Sequence, residues 1–356
     1  MMSFFLSKII KHLLLKELFL LLLCSFAVTI GFSFLAKWFA VTIHCTSKEE
    51  HFIGPKREVP LLGGLGIYAA FFLMVTLVLF FSRFSLSKEI LGFLVGGLLI
   101  VLLGLVDDLS ELSPYVKFTF QVIFMVPVIY FSGLRTELVA LPGFLNFIVT
   151  IIWIVGVINA FNLLDIIDGL SAGVALIAAI FFFIFSLISN NLMVEIVTAV
   201  FIGVLLGFLC FNFPPAKLFM GDCGSMFLGY VLSILAVQIS YADAKHNGVV
   251  LVTPIVILLV PVLDTFFVAL ARFLKRKPIF KKGDEHFAFL LIKEGYGERK
   301  ILMIFWLTSI LSGVFAVLIY VLNSNLWGVL LLLSGLICFS IMEFFMYRKK
   351  SLNDKK

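Results

Sequence analysis

Long apolar runs separated by short polar stretches make up most of this chain of 356 residues. Each run is about 20 residues long, the length at which an α-helix crosses the hydrocarbon core of a bilayer. The pattern predicts an all-α polytopic membrane protein with about eleven transmembrane helices, in one domain that covers residues 1–356. The predicted helices lie at 18–42, 63–82, 90–106, 115–132, 144–163, 170–189, 194–212, 223–241, 248–271, 301–321 and 326–346.

Composition agrees with this interpretation. Hydrophobic residues make up 62% of the chain and charged residues only 13%, too few to cover the surface of a soluble protein of this size. The five cysteines are scattered and give no sign of a disulfide framework or a zinc site. The net charge of +6 does not indicate nucleic-acid binding, because the basic residues lie between apolar runs and fit a role in topology better.

Lys and Arg are concentrated in alternate loops, and this orients the chain in the membrane. By the positive-inside rule these loops face the cytoplasm. We therefore predict a protein of the bacterial inner membrane, with its N-terminus outside and its C-terminus in the cytoplasm. The predicted cytoplasmic loops are 37–60, 107–117, 212–222 and 272–300, together with the C-terminal tail.

Two adjacent carboxylates, Asp107 and Asp108, end the third predicted helix on the cytoplasmic side, and Lys117 follows them. Carboxylates at a membrane boundary are costly unless they are paired, hydrated or bound to a metal. Because adjacent carboxylates repel each other, one of them tends to hold a proton or to share a cation. Either property suits Mg²⁺ binding or general-base catalysis. The alternative is an ordinary solvated helix end.

Polar residues recur every three positions at Asn159, Asn162, Asp165 and Asp168, near the end of the fifth predicted helix. Residues i and i+3 share a helix face, so the pattern predicts one polar stripe. Such a stripe must line a cavity or another helix. The alternative is a hydrogen-bonded seam between two helices. Gly169 permits the helix to break after the stripe.

Asp222 lies between Gly221 and Gly224 at the opening of the eighth predicted helix. Glycines let the backbone approach a ligand closely, and a helix N-terminus favours anions. Asp222 could therefore hold a Mg²⁺ ion whose other ligands are phosphate oxygens. The alternative is a tight turn that Asp222 caps.

The remaining cytoplasmic candidates are basic residues and one histidine. Lys56 and Arg57 precede the second predicted helix and could contact phosphate, although a role in topology is slightly favoured. His286 lies in the 272–300 loop and could contact a phosphate or a metal. Asp264, inside the ninth predicted helix, either pairs with Arg272 or a neighbouring helix, or acts directly.

Taken in order along the chain, these motifs resemble the polyprenyl-phosphate N-acetylhexosamine-1-phosphate transferase family. The resemblance covers residues 56–300 and implies transfer of N-acetylhexosamine-1-phosphate, above all GlcNAc-1-phosphate, from a UDP-sugar to undecaprenyl phosphate with release of UMP. It also implies Mg²⁺ (or Mn²⁺ in its place), contact with membrane lipid, a homodimer, and the first membrane step of a cell-envelope polysaccharide. The resemblance rests on Pro60–Gly64, Asp107 and Asp108, Asn159–Gly169, Phe219–Ser225 and the loop around His286.

The resemblance further implies roles for single residues. Asp222 is expected to bind the metal, and Asp107, Asp108 and Asp168 are expected to act in catalysis. The expected substrate contacts are Lys117, Asn159, Asn162, Asp165, Lys56, Arg57 and His286.

Two other functions stay open. The first is phospho-MurNAc-pentapeptide transfer in peptidoglycan synthesis, by a relative within the same family. Family members often carry several histidines in the last cytoplasmic loop, and the presence of His286 alone at this place disfavours that donor. The second, from another class, is a secondary transporter with an interfacial acidic site, although transporter acids are expected mid-span.

Overall fold

The computed structural model of this chain is a bundle of helices, and it describes residues 2–47, 58–82, 86–136, 141–243, 253–274, 276 and 286–322. Two short strands, β1 (Thr46–Ser47) and β2 (Val59–Pro60), pair in an antiparallel manner. The helices are α1 (Met2–Thr42), α2 (Gly63–Ser82), α3 (Lys88–Ser110), α4 (Pro114–Ser132), α5 (Gly143–Leu164), α6 (Leu170–Ser189), α7 (Leu192–Asn212), α8 (Gly221–Asp243), α9 (Thr253–Ile257), α10 (Leu259–Leu274), α11 (Phe287–Lys293) and α12 (Glu298–Leu322).

Nine helices within the described ranges, α1 to α8 and α12, are long and apolar enough to cross a membrane. This confirms an all-α polytopic membrane protein. The first helix is longer than predicted, because α1 already begins at Met2. The last predicted helix, 326–346, lies outside the described residues. The orientation of the two termini stays a prediction from the distribution of positive charge.

The ninth predicted helix, 248–271, is wrong as a single span. In its described part, α9 ends at Ile257 and α10 begins at Leu259. Pro261 gives the physical reason: it has no N–H to donate to the carbonyl of Ile257, and its ring crowds that carbonyl. The result is two short helices, and Asp264 lies near the start of the second one.

Gly64 in α2 and Gly104 in α3 let these helices pack with their backbones in direct contact with the backbone at the start of α8. A Cβ atom on Gly64 would lie 2.2 Å from the backbone nitrogen of Gly224, and one on Gly104 would lie 2.3 Å from Cα of Cys223. Backbone atoms in a packed helix contact cannot give way as a flexible side chain can. These contacts bring the carboxylate-bearing end of α3 against the first turn of α8.

Backbone hydrogen bonds hold the segment before α8 from a second side. Phe219 donates its N–H to the carbonyl of Pro60, and Gly63 donates back to the carbonyl of Phe219, both at 2.8 Å. Gly64 donates to the carbonyl of Met220 at the same distance. The chain that leads into Asp222 is therefore fixed by the residues between β2 and α2.

Replacing Gly104 with Ala is expected to destabilise the fold by about 3 kcal/mol, because the added methyl group overlaps the backbone of α8. The measurement is the thermal unfolding midpoint of the purified protein in detergent. Gly156→Ala in α5 is the matched control, since no atom lies within 4 Å of the position of its Cβ. An equal midpoint for both variants would show that α3 and α8 do not touch at Gly104.

Candidate functional site

Asp108, at the end of α3, caps the start of α8. Its Oδ1 accepts the N–H of Asp222 at 2.7 Å and its Oδ2 accepts the N–H of Cys223 at 3.1 Å. Gly221 makes this approach feasible: its φ is +69°, and a Cβ atom there would lie 2.6 Å from Asp108 Oδ2. Both carboxylate oxygens thus bind backbone N–H groups at the positive end of a helix. This geometry gives Asp108 a positioning role, and its predicted direct role in catalysis stays a prediction.

Lys117, in the first turn of α4, joins the carboxylates of two other helices. Its Nζ lies 2.7 Å from Asp107 Oδ2 and 2.6 Å from Asp222 Oδ2. Its side chain is only 14% exposed and that of Asp107 only 8%, so solvent screens this pair little, whereas the side chain of Asp222 is 32% exposed. Asp107 also accepts the backbone N–H of Leu112 through Oδ1 at 2.7 Å. The sequence predicted all three charged residues as site residues, and the structure brings them together.

Asn162, on α5, extends this cluster. It donates through Nδ2 to Ser225 Oγ at 3.0 Å, and Ser225 Oγ in turn donates to the backbone carbonyl of Asp222 at 3.4 Å. Four helices, α3, α4, α5 and α8, therefore contribute a side chain to one polar cluster. Ser225 belongs to the glycine-flanked motif, but sequence spacing alone did not single it out.

The predicted stripe of four polar residues is wrong in its second half. Helix α5 ends at Leu164, and Asp165 follows it with a ψ of 63°, outside the helical range. Asp165 and Asp168 therefore do not continue the helix face of Asn162. Asn159 lies on the helix but pairs with Gln121 of α4 at 2.5 Å, as the alternative of an interhelical seam foresaw.

The turn after α5 is tied to the turn before α8. Asp168 accepts the backbone N–H of Ala216 through Oδ2 at 2.8 Å. The buried amide of Asn212 accepts the N–H of Gly169 at 2.9 Å and donates to the carbonyl of Leu218 at 3.0 Å. Asn212 was missed by the sequence reasoning, because the end of a long apolar run gives no sign that its side chain bridges two turns.

A second buried polar contact lies between α10 and α11. Asp264 Oδ2 lies 2.8 Å from Nδ1 of His286, and Asp264 Oδ1 accepts the N–H of Phe287 at 2.9 Å. Of the alternatives that the sequence left open for Asp264, the structure shows pairing with a neighbouring segment. Lys56 and Arg57 lie outside the described residues, so their predicted contact with phosphate stays a prediction.

Cys45, between α1 and β1, lies near the carboxylate of Asp108. Burial raises the pKa of the Cys45 thiol, and the nearby carboxylate of Asp108 raises it further. The scattered cysteines of the sequence gave no indication that two of them, Cys45 and Cys223, border the site.

The polar cluster fits a divalent cation of the Mg²⁺ type. Asp107 and Asp222 offer carboxylate oxygens, the hard donors that Mg²⁺ prefers, and the ammonium of Lys117 already lies between them. Within the described ranges no three His, Cys, Asp or Glu side chains surround one metal position. Mg²⁺ usually binds through one or two carboxylates and completes its shell with water and phosphate. Asp222 and Asp107 are the residues that would hold it.

Comparison with known proteins places the cluster inside a matched region. The sequence model of glycosyl transferase family 4 matches residues 90–240. The "Probable undecaprenyl-phosphate N-acetylglucosaminyl 1-phosphate transferase" of Bacillus subtilis (strain 168) is 29% identical over 289 residues, which cover 79% of this chain and 78% of that protein.

Two further relatives show how widely the similarity extends. The "Phospho-N-acetylmuramoyl-pentapeptide-transferase" of Halalkalibacterium halodurans is 30% identical over 329 residues, or 85% of this chain and 97% of that protein. The "Decaprenyl-phosphate N-acetylglucosaminephosphotransferase" of Mycobacterium leprae (strain TN) is 29% identical over 280 residues, or 70% of each protein.

Proposed function

Because this chain belongs to glycosyl transferase family 4, we propose that it is a phosphoglycosyltransferase that moves an N-acetylhexosamine-1-phosphate from a UDP-sugar to a polyprenyl phosphate. The observation that carries this proposal is the Lys117-bridged pair of Asp107 and Asp222. Phosphoryl transfer depends on charge neutralisation and positioning more than on covalent chemistry. Two carboxylates and an ammonium from three helices, with the amide of Asn162 from a fourth, provide such a rigid setting.

The proposed reaction is a direct displacement at the β-phosphorus of the donor. A phosphate oxygen of the lipid forms a new bond to that phosphorus, the bond to the oxygen of the α-phosphate breaks, and UMP leaves with the electron pair. Asp222 and Asp107 would hold Mg²⁺, which would supply positive charge for the diphosphate. Asp107 orients the lipid phosphate and accepts its proton at a carboxylate oxygen, and Lys117 attracts the phosphate oxygens.

Asn162 and Asp108 act on the placement of Asp222. Asn162 holds the first turn of α8 through Ser225 from the side of α5, and Asp108 holds the backbone from the side of α3. Catalytic groups need to stay within a fraction of an ångström of the reactive geometry, and neighbouring hydrogen bonds provide that rigidity. Asp168 lies in the turn tied to Ala216, where we propose that it faces the nucleotide.

The proposed donor is UDP-GlcNAc, the proposed acceptor is undecaprenyl phosphate, and the proposed role is the first membrane step of a cell-envelope polysaccharide at the cytoplasmic face of a bacterial inner membrane. The name of the Bacillus subtilis relative supports this choice. The second candidate donor is UDP-MurNAc-pentapeptide, favoured by the Halalkalibacterium halodurans relative, which aligns over 97% of its own length.

Release of UMP by the purified full-length protein tests the function. Undecaprenyl phosphate and Mg²⁺ are supplied with UDP-GlcNAc, UDP-GalNAc or UDP-MurNAc-pentapeptide in turn, and the lipid product is identified by its mass. We expect UMP release with UDP-GlcNAc, which depends on the lipid and stops when EDTA removes the metal. Release with UDP-MurNAc-pentapeptide alone would assign the second candidate, and no release with any donor would reject the transferase.

A further inference from the structure

An open cleft of about 730 Å³ lies between the turn that follows α7 and the start of α12. Pro214 and Pro215 line it on the side of α7. The chain from Gly297 to Lys300, together with Met303, lines it on the side of α12. The polar cluster described above draws its side chains from α3, α4, α5 and α8, so the cleft is built from a different set of side chains.

Two cations and one carboxylate line this cleft. Arg299 and Lys300 lie in the first turn of α12 and are exposed, and Glu298, directly before them, is half-buried. The ammonium of Lys300 lies 4.6 Å from the centre of the Tyr296 ring, a cation–π contact that restrains it beside the cleft. The N-terminus of α12 adds a partial positive charge at the same place. The charge of the cleft therefore favours an anion.

The charged end of the cleft continues directly into an apolar face of α12. Arg299 and Lys300 precede Met303 by four and three positions, so the three side chains share one helix face. The large exposed hydrophobic side chains that follow on this face are Met303, Leu307, Ile310 and Val314. Because α12 is long and apolar enough to cross a membrane, this face is expected to contact lipid tails, with the two cations at its end.

The other wall has the same order of polar and apolar groups. Phe213 lies directly before Pro214 and is 47% exposed. Its ring centroid lies 6.3 Å from that of Trp306 in α12, so two aromatic rings join the walls. Trp306 fits against α6 because Gly173 has no side chain, and a Cβ atom there would overlap the indole. Aromatic rings between a charged end and an apolar face are typical of the membrane interface.

We propose that this cleft binds the headgroup of an anionic phospholipid such as phosphatidylglycerol. The phosphate lies beside Arg299 and Lys300, and the acyl chains run along the face of α12 that begins at Met303. Basic pockets between transmembrane helices are typical sites for anionic headgroups, and the bilayer supplies the ligand. A soluble phosphate compound would match the two cations but leave the apolar face unused.

A polyprenyl phosphate also joins a phosphate to an apolar tail, so the position of the cleft decides between the two lipids. Among the described residues α12 packs mainly on α6 and α9. The Lys117 ammonium, beside which a reacting lipid phosphate would lie, belongs to α4. The cleft thus favours a lipid that is bound and not converted, and this inference does not depend on the proposed reaction.

The test compares two double variants of the full-length protein. Arg299→Gln with Lys300→Gln removes both cations of the cleft and keeps two residues that favour a helix. Lys88→Gln with Arg135→Gln is the control. Lys88 and Arg135 are exposed and lie at the start of α3 and after the end of α4, at the ends that do not contribute to the polar cluster. Both variants lose two positive charges, so a general loss of attraction to anionic lipid affects them alike.

Thermal unfolding in dodecyl maltoside, titrated with phosphatidylglycerol, provides the first measurement. The unfolding midpoint of the wild type should rise with phosphatidylglycerol until the site is saturated, and phosphatidylcholine should give no such rise. The cleft variant should need about thirtyfold more phosphatidylglycerol for the same gain, since two cations near a phosphate are lost. The control variant should respond as the wild type does. Without lipid, all three proteins should unfold at the same temperature.

Native mass spectrometry from the same detergent provides the second measurement, because it counts bound phosphatidylglycerol directly and needs no turnover. The adduct should persist when undecaprenyl phosphate or UDP is added in excess. Equal phosphatidylglycerol binding by the two double variants would overturn the proposal. Displacement of the adduct by undecaprenyl phosphate would assign the cleft to the acceptor instead, and displacement by UDP would assign it to a nucleotide.

Discussion

Replacing Asp222 with Asn is expected to reduce UMP release about a thousandfold. The variant keeps the shape of the side chain and the backbone N–H groups that Asp108 caps, so the fold should persist. It removes the charge that would bind Mg²⁺, and a loss of about 4 kcal/mol in stabilisation of the transferring phosphate corresponds to that factor. The measurement is the initial rate of UMP release at saturating donor and lipid.

Glu111→Gln is the matched control for this substitution. Glu111 follows α3 directly and is exposed, so its replacement removes one negative charge next to the end of α3 without touching the polar cluster. Binding of Mn²⁺, followed by electron paramagnetic resonance, separates the causes: Asp222→Asn should bind it weakly and Glu111→Gln normally. Full activity of Asp222→Asn would remove Asp222 as the metal ligand.

Replacing Lys117 with Gln is expected to reduce UMP release about a hundredfold and to make the fold depend on divalent metal. Without the ammonium, the carboxylates of Asp107 and Asp222 face each other without a counter-charge, which destabilises the fold by about 3 kcal/mol. A metal ion that binds both carboxylates would restore this stability, since a ligand of the folded state stabilises it by mass action. Thermal unfolding with EDTA and with Mg²⁺ measures the effect.

The gain in midpoint on adding Mg²⁺ should be larger in Lys117→Gln than in the wild type, because the ammonium and the metal ion compete for the same two carboxylates. Lys217→Gln is the control, since Lys217 is exposed. If Lys117→Gln unfolds at the wild-type temperature in EDTA and gains no more from Mg²⁺, then Lys117 does not neutralise the pair.

Local patterns in the sequence were enough to predict most of the spans and the main members of the cluster. Asp107, Asp222 and Lys117 are charged residues at the ends of apolar runs, where burial without a partner is costly, so their clustering follows from local chemistry. The predicted polar stripe was wrong at Asp165 and Asp168, because a three-residue spacing puts residues on one face only while the helix continues. The helix ends at Leu164 instead.

Contacts between distant segments could not be predicted in the same way. Asp264 and His286 are 22 positions apart, with a polar and basic stretch of sequence between them, and no spacing rule connects two such residues. In the sequence, Asn212 is simply the last residue of an apolar helix. Only the structure shows that its side chain joins the turn at Gly169 to the turn at Leu218. The break before Pro261 was predictable in principle, since a proline removes the hydrogen bond to the fourth residue before it.

The cap that Asp108 places on α8 also makes the site open to measurement without any substrate. The amide hydrogens of Asp222 and Cys223 are bonded to a carboxylate of another helix, so they exchange with deuterium from the solvent only when α3 and α8 separate at this point. Their exchange rate therefore reports how often the end of α8 that carries Asp222 opens, in the resting protein and in every variant of the cluster.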